Sequence, residues 1–274
     1  MLGRQLRVLR ESRDVSRETA GRHIGGSPSK ISRMESGHTG VKETDLERLL
    51  TLYGVTDARE RRAMLELTCH LNNRQWWYAY SDILRGWFCS YLVLESIAEY
   101  IRTYEVRFIP GLLQTRAYAD AVVRLHYTDE TEIGRRVDAR MHRQRKLLTQ
   151  GRPRLWAVVD EAALYEHIAD PAIMREQINF LLHAATLPQV HLQVLPSGAA
   201  GRVGIGDSFS MLRLRMSCLS DVVYLEHIGS AYFLENPDDL DPYKIAMNRL
   251  SIAATKPSDA VTALERARDH YRSH

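Results

Sequence analysis

The sequence predicts an α+β protein made of two domains. Residues 1–72 contain five segments with apolar residues at helical spacing, residues 73–93 are rich in Trp and Tyr, and the last third holds three β-rich runs. We therefore expect an all-α five-helix domain over 1–72, an aromatic junction over 73–93, and an α+β domain with a mainly antiparallel sheet over 94–274.

The five N-terminal helices follow from apolar periodicity and capping residues. Ser16 is a good N-cap for the second helix, and Ser27 caps the third, with Pro28 at its first position where a missing N–H costs nothing. Glycines at 25, 26 and 37 end the second and third helices. The five helices are expected at residues 3–12, 17–24, 28–36, 44–53 and 58–71.

The C-terminal elements are expected to be helices first and mostly strands later. Helical patterns cover 95–105, 112–123 and 134–148, and the first two are separated by Pro110-Gly111. The predicted strands are 154–160, 190–196, 209–215 and 222–227. Further helices are predicted around 161–168, 174–185, 241–250 and 257–271.

Composition indicates a soluble globular protein, with 45% hydrophobic and 26% charged residues. No run approaches the ~18 apolar residues of a membrane span, and Arg4, Arg7 and Arg10 interrupt any signal-peptide core. We expect a cytoplasmic protein without a membrane segment. The Cys and His spacings match no metal motif, so no metal or cofactor is expected.

Positive charge is concentrated at the N-terminus. Residues 1–33 hold eight Arg or Lys and three acids, a larger surplus than the +3 of the whole chain. Such a segment is typical of a surface that binds phosphates, but a solvated helix face has the same composition. Charge alone leaves both interpretations open.

The segment 16–37 has the pattern of a helix-turn-helix. Its two helices need a tight turn and a small residue at their contact, which Gly25 and Gly21 supply. Ile24, Ile31 and Met34 are expected on the inner face. The free face of the third helix carries Ser29, Lys30, Ser32 and Arg33. Arg and Lys can donate to guanine, and the N-cap amides near Ser27 can bind a phosphate, so we expect double-stranded DNA as partner.

The stretch VSRETAGRHIGGSPSKISRMESG resembles the Xre-type helix-turn-helix family of phage repressors and bacterial regulators. The resemblance implies that Arg17 contacts phosphate, that Pro28, Ser29, Lys30 and Arg33 face the bases, and that Arg10 and Glu35 form an internal salt bridge. The chain departs from the family at Ala20, where a larger aliphatic residue is usual, and at Gly26, where Val, Ile or Thr is usual. The alternative is a helical hairpin that binds no nucleic acid.

Residues 76–264 resemble a domain of unknown function found behind Xre-type motifs in actinobacterial regulators, with IPGLLQT as the most specific part. That family is described as antitoxin-like, with a small acidic protein as presumed partner. The resemblance implies a regulator whose C-terminal domain binds such a partner or a small-molecule effector. We also expect a homodimer, because one recognition helix reads only a few base pairs.

The alternative function is a DNA-binding domain fused to a hydrolase-like enzyme. Asp160-Glu161 and Glu226-His227 are candidate acid/base pairs, but no nucleophile, phosphate or metal motif accompanies them. Carboxylates at strand ends are more often caps, so the sequence favours a binding protein over an enzyme. The basic stretch 135–146 is interpreted as a solvated amphipathic face, with added DNA contact as the alternative.

Overall fold

A computed structural model of the chain describes residues 2–72, 76–150, 153–199, 201, 204–215 and 219–272. The chain divides into two compact units. Unit 1 contains the residues up to Tyr78 and the segment Leu214–Ser220, and unit 2 contains Ala79–Arg213 and Asp221–His274. The division after Tyr78 falls within the segment 73–93, of which residues 73–75 lie outside the described residues.

Unit 1 has the five helices that the sequence predicts. They are α1 (Leu2–Glu11), α2 (Arg17–His23), α3 (Pro28–Glu35), α4 (Glu43–Leu52) and α5 (Ala58–Asn72), followed by a 3₁₀ turn at Trp76–Tyr80. One residue of each helix is at most 1% exposed: Leu6 of α1, Ala20 of α2, Ile31 of α3, Leu46 of α4 and Met64 of α5. Each helix thus contributes one apolar stripe to a shared core.

Unit 2 contains a six-stranded sheet in the order β3-β2-β1-β4-β5-β6. Its strands are β1 (Ala98–Glu105), β2 (Arg154–Asp160), β3 (Val190–Leu195), β4 (Phe209–Leu214), β5 (Val222–Glu226) and β6 (Ala231–Leu234). The β1–β2 and β2–β3 pairs are parallel, whereas β4–β5 and β5–β6 are antiparallel. The α+β class is confirmed, and the sheet is mixed rather than mainly antiparallel.

The parallel half of the sheet differs from the prediction because β1 was expected to be helical. Residues 95–105 fit a helical period, yet α6 (Gly86–Ile97) ends at Ile97 and a strand begins at Ala98. Ile101 and Tyr104 of this strand are buried, and Thr103 bonds Ser210 of β4, with their hydroxyl oxygens 2.9 Å apart. Pairing with neighbouring strands therefore overrides the local helical pattern.

Unit 2 also contains the helices α7 (Arg116–Arg124), α8 (Glu130–Gln150), α9 (Pro171–Ala184), α10 (Pro237–Ala253) and α11 (Pro257–His270). α10 packs on the sheet through Met247 and Leu250, which share a cluster with Tyr104, Val158 and Val223. The helix expected at 161–168 is only a 3₁₀ turn at Glu161–Leu164, and β6 was not predicted.

Candidate nucleic-acid interface

The turn between α2 and α3 is closed by two backbone hydrogen bonds. Gly26 N–H donates to Gly21 O at 2.8 Å, and Gly25 N–H donates to Arg22 O at 3.1 Å. This pair of bonds ends a helix as a Schellman motif. Gly25 has φ +66°, a left-handed conformation that costs other L-residues roughly 1 kcal/mol or more. The Gly-Gly pair therefore ends α2 and redirects the chain toward α3.

Gly21 lets α2 and the start of α3 touch through their backbones. A Cβ placed on Gly21 would lie 2.9 Å from the carbonyl carbon of Ser27 and 3.0 Å from its oxygen. These distances are shorter than carbon atoms tolerate, so any side chain at position 21 would push the two helices apart. The absence of a side chain at Gly21 thus sets the position of α3.

Serine side chains cap both helices. The Ser16 hydroxyl accepts a hydrogen bond from Thr19 N–H at 3.1 Å, and the Ser27 hydroxyl accepts one from Lys30 N–H at 3.2 Å. Pro28 occupies the first turn of α3. These contacts satisfy amides that the helix itself cannot bond, and they fix where α3 begins.

The inner faces of α2 and α3 form part of the core of unit 1. Ala20 is fully buried, and Ile24, Ile31 and Met34 are 5%, 1% and 2% exposed. This burial holds α3 by one face and leaves the other to solvent.

The exposed face of α3 carries most of the predicted DNA contacts. Ser27, Pro28, Ser29 and Arg33 are exposed, while Ser32 is half-buried. Among the described residues, the side chains of Arg33 and Ser29 have no ion pair or hydrogen bond. The Arg33 guanidinium therefore keeps all its donors for an external partner.

Lys30 differs from the other predicted contacts because it has a partner inside unit 1. Its Nζ lies 2.7 Å from Oδ2 of Asp45 on α4. Its stem crosses Gly26, since a Cβ on Gly26 would meet Lys30 Cδ at 2.8 Å. The stem thus fills space that a larger residue at position 26 would occupy.

Three charged side chains link α1, α2 and α3. Arg10 donates from Nε to Glu35 Oε1 at 2.5 Å and from Nη2 to Oε2 at 3.1 Å. Both side chains are nearly buried, at 8% and 4% exposure. Arg17, which is 41% exposed, donates from Nε to Glu35 Oε2 at 3.2 Å. Glu35 thus holds Arg17 by one nitrogen while the side chain remains accessible to solvent.

The buried ion pair and its surroundings shift the pKa values of Arg10 and Tyr53. The hydrogen bond that Arg10 donates to Glu35 raises the pKa of Arg10 above its usual value. Burial, helped by the charge of Glu35, raises the pKa of Tyr53 to about 12. The Tyr53 hydroxyl is buried and has no hydrogen-bond partner among the described residues. Tyr53 therefore stays neutral near Glu35 at any physiological pH.

Two comparisons with known families match this architecture. Residues 1–64 match a helix-turn-helix domain, a module that indicates a DNA-binding regulator. Residues 88–266 match the family described as Domain of unknown function (DUF5753). The chain belongs to the DUF5753 family. A search of curated proteins and a search of solved structures each gave no match.

The DUF5753 region contains a charged cluster around the end of β1. Arg143 of α8 forms a buried ion pair with Glu95 of α6, with Nη2–Oε2 at 2.7 Å. Arg140, one turn earlier, donates from Nη1 to Gln114 Oε1 at 2.6 Å. Its guanidinium has no carboxylate oxygen within 4.0 Å in the described part of the chain, and burial lowers its pKa to about 10.

Glu105, the last residue of β1, belongs to the same cluster. Burial raises the pKa of the Glu105 carboxyl to about 7, although hydrogen bonds from Ser208 and Thr103 oppose the shift. Glu226 at the end of β5 adds a second negative charge, and Tyr224 donates to it at 2.8 Å. The cluster therefore holds charged groups that only partly neutralise one another.

The candidate acid/base residues have structural contacts. Asp160 accepts from Ala162 N–H at 3.0 Å and caps the 3₁₀ turn after β2. Glu161 accepts from Ser197 N–H at 3.0 Å. His227 packs its ring edge-on against Tyr232, with centroids 5.6 Å apart. Among the described residues, no group of three or more His, Cys, Asp or Glu could hold a metal ion.

The basic stretch of α8 is used largely for contacts within unit 2. Arg135 forms two hydrogen bonds to Asp82, with Nη1–Oδ2 at 2.5 Å and Nη2–Oδ1 at 2.7 Å. Arg136 bonds Glu132 at 2.7 Å, and Arg143 bonds Glu95.

No described helix is long and apolar enough to cross a membrane.

Asp45 is the residue of this interface that the sequence interpretation missed. It lies in the first turn of α4, one turn before Leu49, and both residues are buried. A carboxylate on the apolar stripe of a helix requires a partner, because burying an unpaired charge is costly. That requirement was a usable signal, but it does not identify Lys30 as the partner.

Proposed function

We propose that the chain is a sequence-specific transcriptional regulator of the Xre type that binds double-stranded DNA through α3. The observation that carries the proposal is the exposed guanidinium of Arg33, which has no partner in the described part of the chain, on a helix whose position is fixed by Gly21, Ser27 and Glu35. Arg is the residue that most often reads guanine in the major groove. A target on DNA also implies a cytoplasmic location.

The DUF5753 region is proposed to control this DNA binding. The resemblance to antitoxin-like regulators supports a small acidic protein as partner, and the cluster of Arg140, Glu105 and Glu226 supports a small polar effector as the alternative. Incompletely paired charges in one place are a common feature of ligand sites. The same region is proposed to support a homodimer, which two-fold operators require.

The test of DNA binding is selection of bound sequences from a random duplex pool by the full chain, followed by mapping of bound genomic sites. We expect a two-fold symmetric motif with half-sites about one helical turn, ~34 Å, apart. Arg33→Ala should lose the base preference at one position of each half-site, whereas Arg62→Ala, a change at an exposed arginine on α5, should retain the whole motif. Recovery of no motif by the wild-type chain, or of the same motif by Arg33→Ala, would reject the proposal.

The dimer is tested by the mass of the full chain in solution at micromolar concentration. A dimeric mass together with a palindromic footprint is expected. A monomeric mass with a footprint lacking symmetry would exclude the dimer but not DNA binding.

The alternative of an enzyme domain receives less support. Asp160 is engaged as a cap, and Glu226 accepts a bond from Tyr224. We therefore propose a binding role rather than catalysis for the DUF5753 region. Hydrolysis of generic ester or phosphoester substrates by the wild-type chain, lost in Asp160→Asn, would overturn that assignment.

A further inference from the structure

The ion pair between Lys30 and Asp45 bears on how α3 uses its positive charge. Of the two cations on α3, Lys30 and Arg33, only Lys30 has an ion-pair partner among the residues of unit 1 that the structure describes. We propose that Asp45 holds Lys30 away from DNA, which leaves Arg33 as the cation of α3 that reads the operator. This inference rests on the proposed function, since it concerns the same DNA-binding face.

The direction of the Lys30 side chain favours its retention by Asp45. Its Cδ passes over Gly26, where a Cβ added to the glycine would lie only 2.8 Å from it. Its Nζ lies 2.7 Å from Oδ2 of Asp45. The stem therefore runs along the turn toward α4. Arg33, one turn further along α3, points to solvent without any such contact among the described residues.

The difference in burial between Lys30 and Asp45 also favours the intact ion pair. The Asp45 side chain is 10% exposed, whereas the Lys30 side chain is 35% exposed. If Lys30 moved to a phosphate, the Asp45 carboxylate would remain buried and unpaired, and a buried charge that loses its partner is strongly destabilising. Contact with one DNA phosphate would gain only the release of about one condensed counterion. The balance favours Lys30 remaining on Asp45 in the complex.

Asp45 is thus a positioning residue that limits nonspecific affinity. Each additional phosphate contact makes the slope of log Kobs against log salt concentration steeper by about 0.9. A Lys30 released from Asp45 would therefore strengthen binding to DNA of any sequence. When the salt concentration falls from 200 mM to 50 mM, a protein with this one extra contact gains about threefold more affinity than a protein without it. Retention of Lys30 by Asp45 preserves the ratio of specific to nonspecific binding.

The test measures salt dependence of binding to an unrelated duplex for the full chain and three variants: Asp45→Asn, Lys30→Met and the double variant. Asp45→Asn should steepen the slope by about 0.9. Lys30→Met leaves the Asp45 charge uncompensated and should weaken binding. The double variant, which removes both charges, should return to the wild-type slope.

Two results would overturn the inference. One is an unchanged slope in Asp45→Asn, and the other is a double variant whose slope is about 0.9 shallower than wild type, which would mean that Lys30 contacts phosphate in the native chain. Thermal denaturation of each variant checks that unit 1 remains folded. If the wild-type chain itself showed no salt-dependent DNA binding, the proposed function would fail instead, so the two failures are distinguishable.

Discussion

Arg10 and Glu35 join α1 to α3 through two hydrogen bonds, 2.5 Å and 3.1 Å long, between side chains that are at most 8% exposed. Because α3 is only eight residues long, this pair and the turn at Gly25 fix most of its orientation. The DNA-binding face therefore depends on a buried electrostatic contact as well as on apolar packing.

Glu35→Gln should destabilise unit 1 by about 3 kcal/mol, since removing one member of a buried pair leaves the other charge uncompensated. Chemical denaturation of the full chain, followed by helical circular dichroism, measures the loss. Arg7→Gln is the control: the Arg7 guanidinium pairs with Glu11 at the surface, at 2.8 Å, and both side chains are at least half exposed. Its substitution should cost at most about 0.5 kcal/mol. Equal costs for both variants would contradict a structural role for Glu35.

Gly21→Ala should weaken DNA binding, because its Cβ would lie 2.9 Å from the Ser27 carbonyl carbon and displace the start of α3. Gly134→Ala is the control. Gly134 lies within α8, and a Cβ there meets no atom within 4 Å. Replacing an exposed helical glycine by alanine stabilises by up to about 1 kcal/mol and should leave DNA affinity unchanged. Gel-shift titration on the selected operator measures both, and wild-type affinity in Gly21→Ala would argue against backbone contact at this position.

The carboxyl of Glu105 should make the stability of unit 2 dependent on pH. Its pKa is raised by burial from 4.5 to about 7, so the folded state binds a proton more tightly than the unfolded state does. The stabilisation is complete below about pH 4.5 and is lost as pH rises through 7. Between pH 5 and pH 8, the wild-type chain should therefore lose about 2 kcal/mol of unfolding free energy that Glu105→Gln does not lose.

Denaturant titrations at the two pH values measure this difference. The charged and polar groups that act on the Glu105 carboxyl include Glu226, Arg140, Ser208 and Thr103, and the substitution leaves each of them in place. Glu99→Gln, at an exposed position on the same strand, is the control and should show no such difference. An identical pH profile for wild type and Glu105→Gln would mean that the carboxyl titrates normally.

The sequence was informative where local chemistry decides structure. The helices of unit 1 begin and end at residues such as Ser16, Ser27 and Gly25, whose capping and turn preferences act within a few positions. The pairing of Arg10 with Glu35 followed only from resemblance to a family, because no local pattern connects residues in α1 and α3.

Long-range contacts account for what the sequence did not predict. The segment that forms β1 has a helical period, and its strand conformation depends on β2 and β4, which are distant in the chain. Likewise, Lys30 has the position of a base contact on α3, and only the fold brings Asp45 to its ammonium group. Spacing within one element cannot reveal a partner on another.

Arg17 and Arg33 should contribute to DNA binding in different ways. Arg17 is tied to Glu35 through Nε at 3.2 Å yet is 41% exposed, which suits a side chain held in place for a phosphate. The Arg33 side chain has no ion pair with any described residue and lies on the exposed face of α3, which suits contact with a base. Arg17→Ala should weaken binding to all sequences alike and reduce the salt slope by about 0.9. Arg33→Ala should cost about 1–3 kcal/mol on the selected operator and relax base preference at one position. Competition titrations with operator and scrambled duplexes at several salt concentrations separate the two effects. If Arg17→Ala altered base preference, the assignment of Arg17 to a phosphate would be wrong. If Arg33→Ala weakened binding to operator and scrambled DNA equally, the assignment of Arg33 to a base would be wrong.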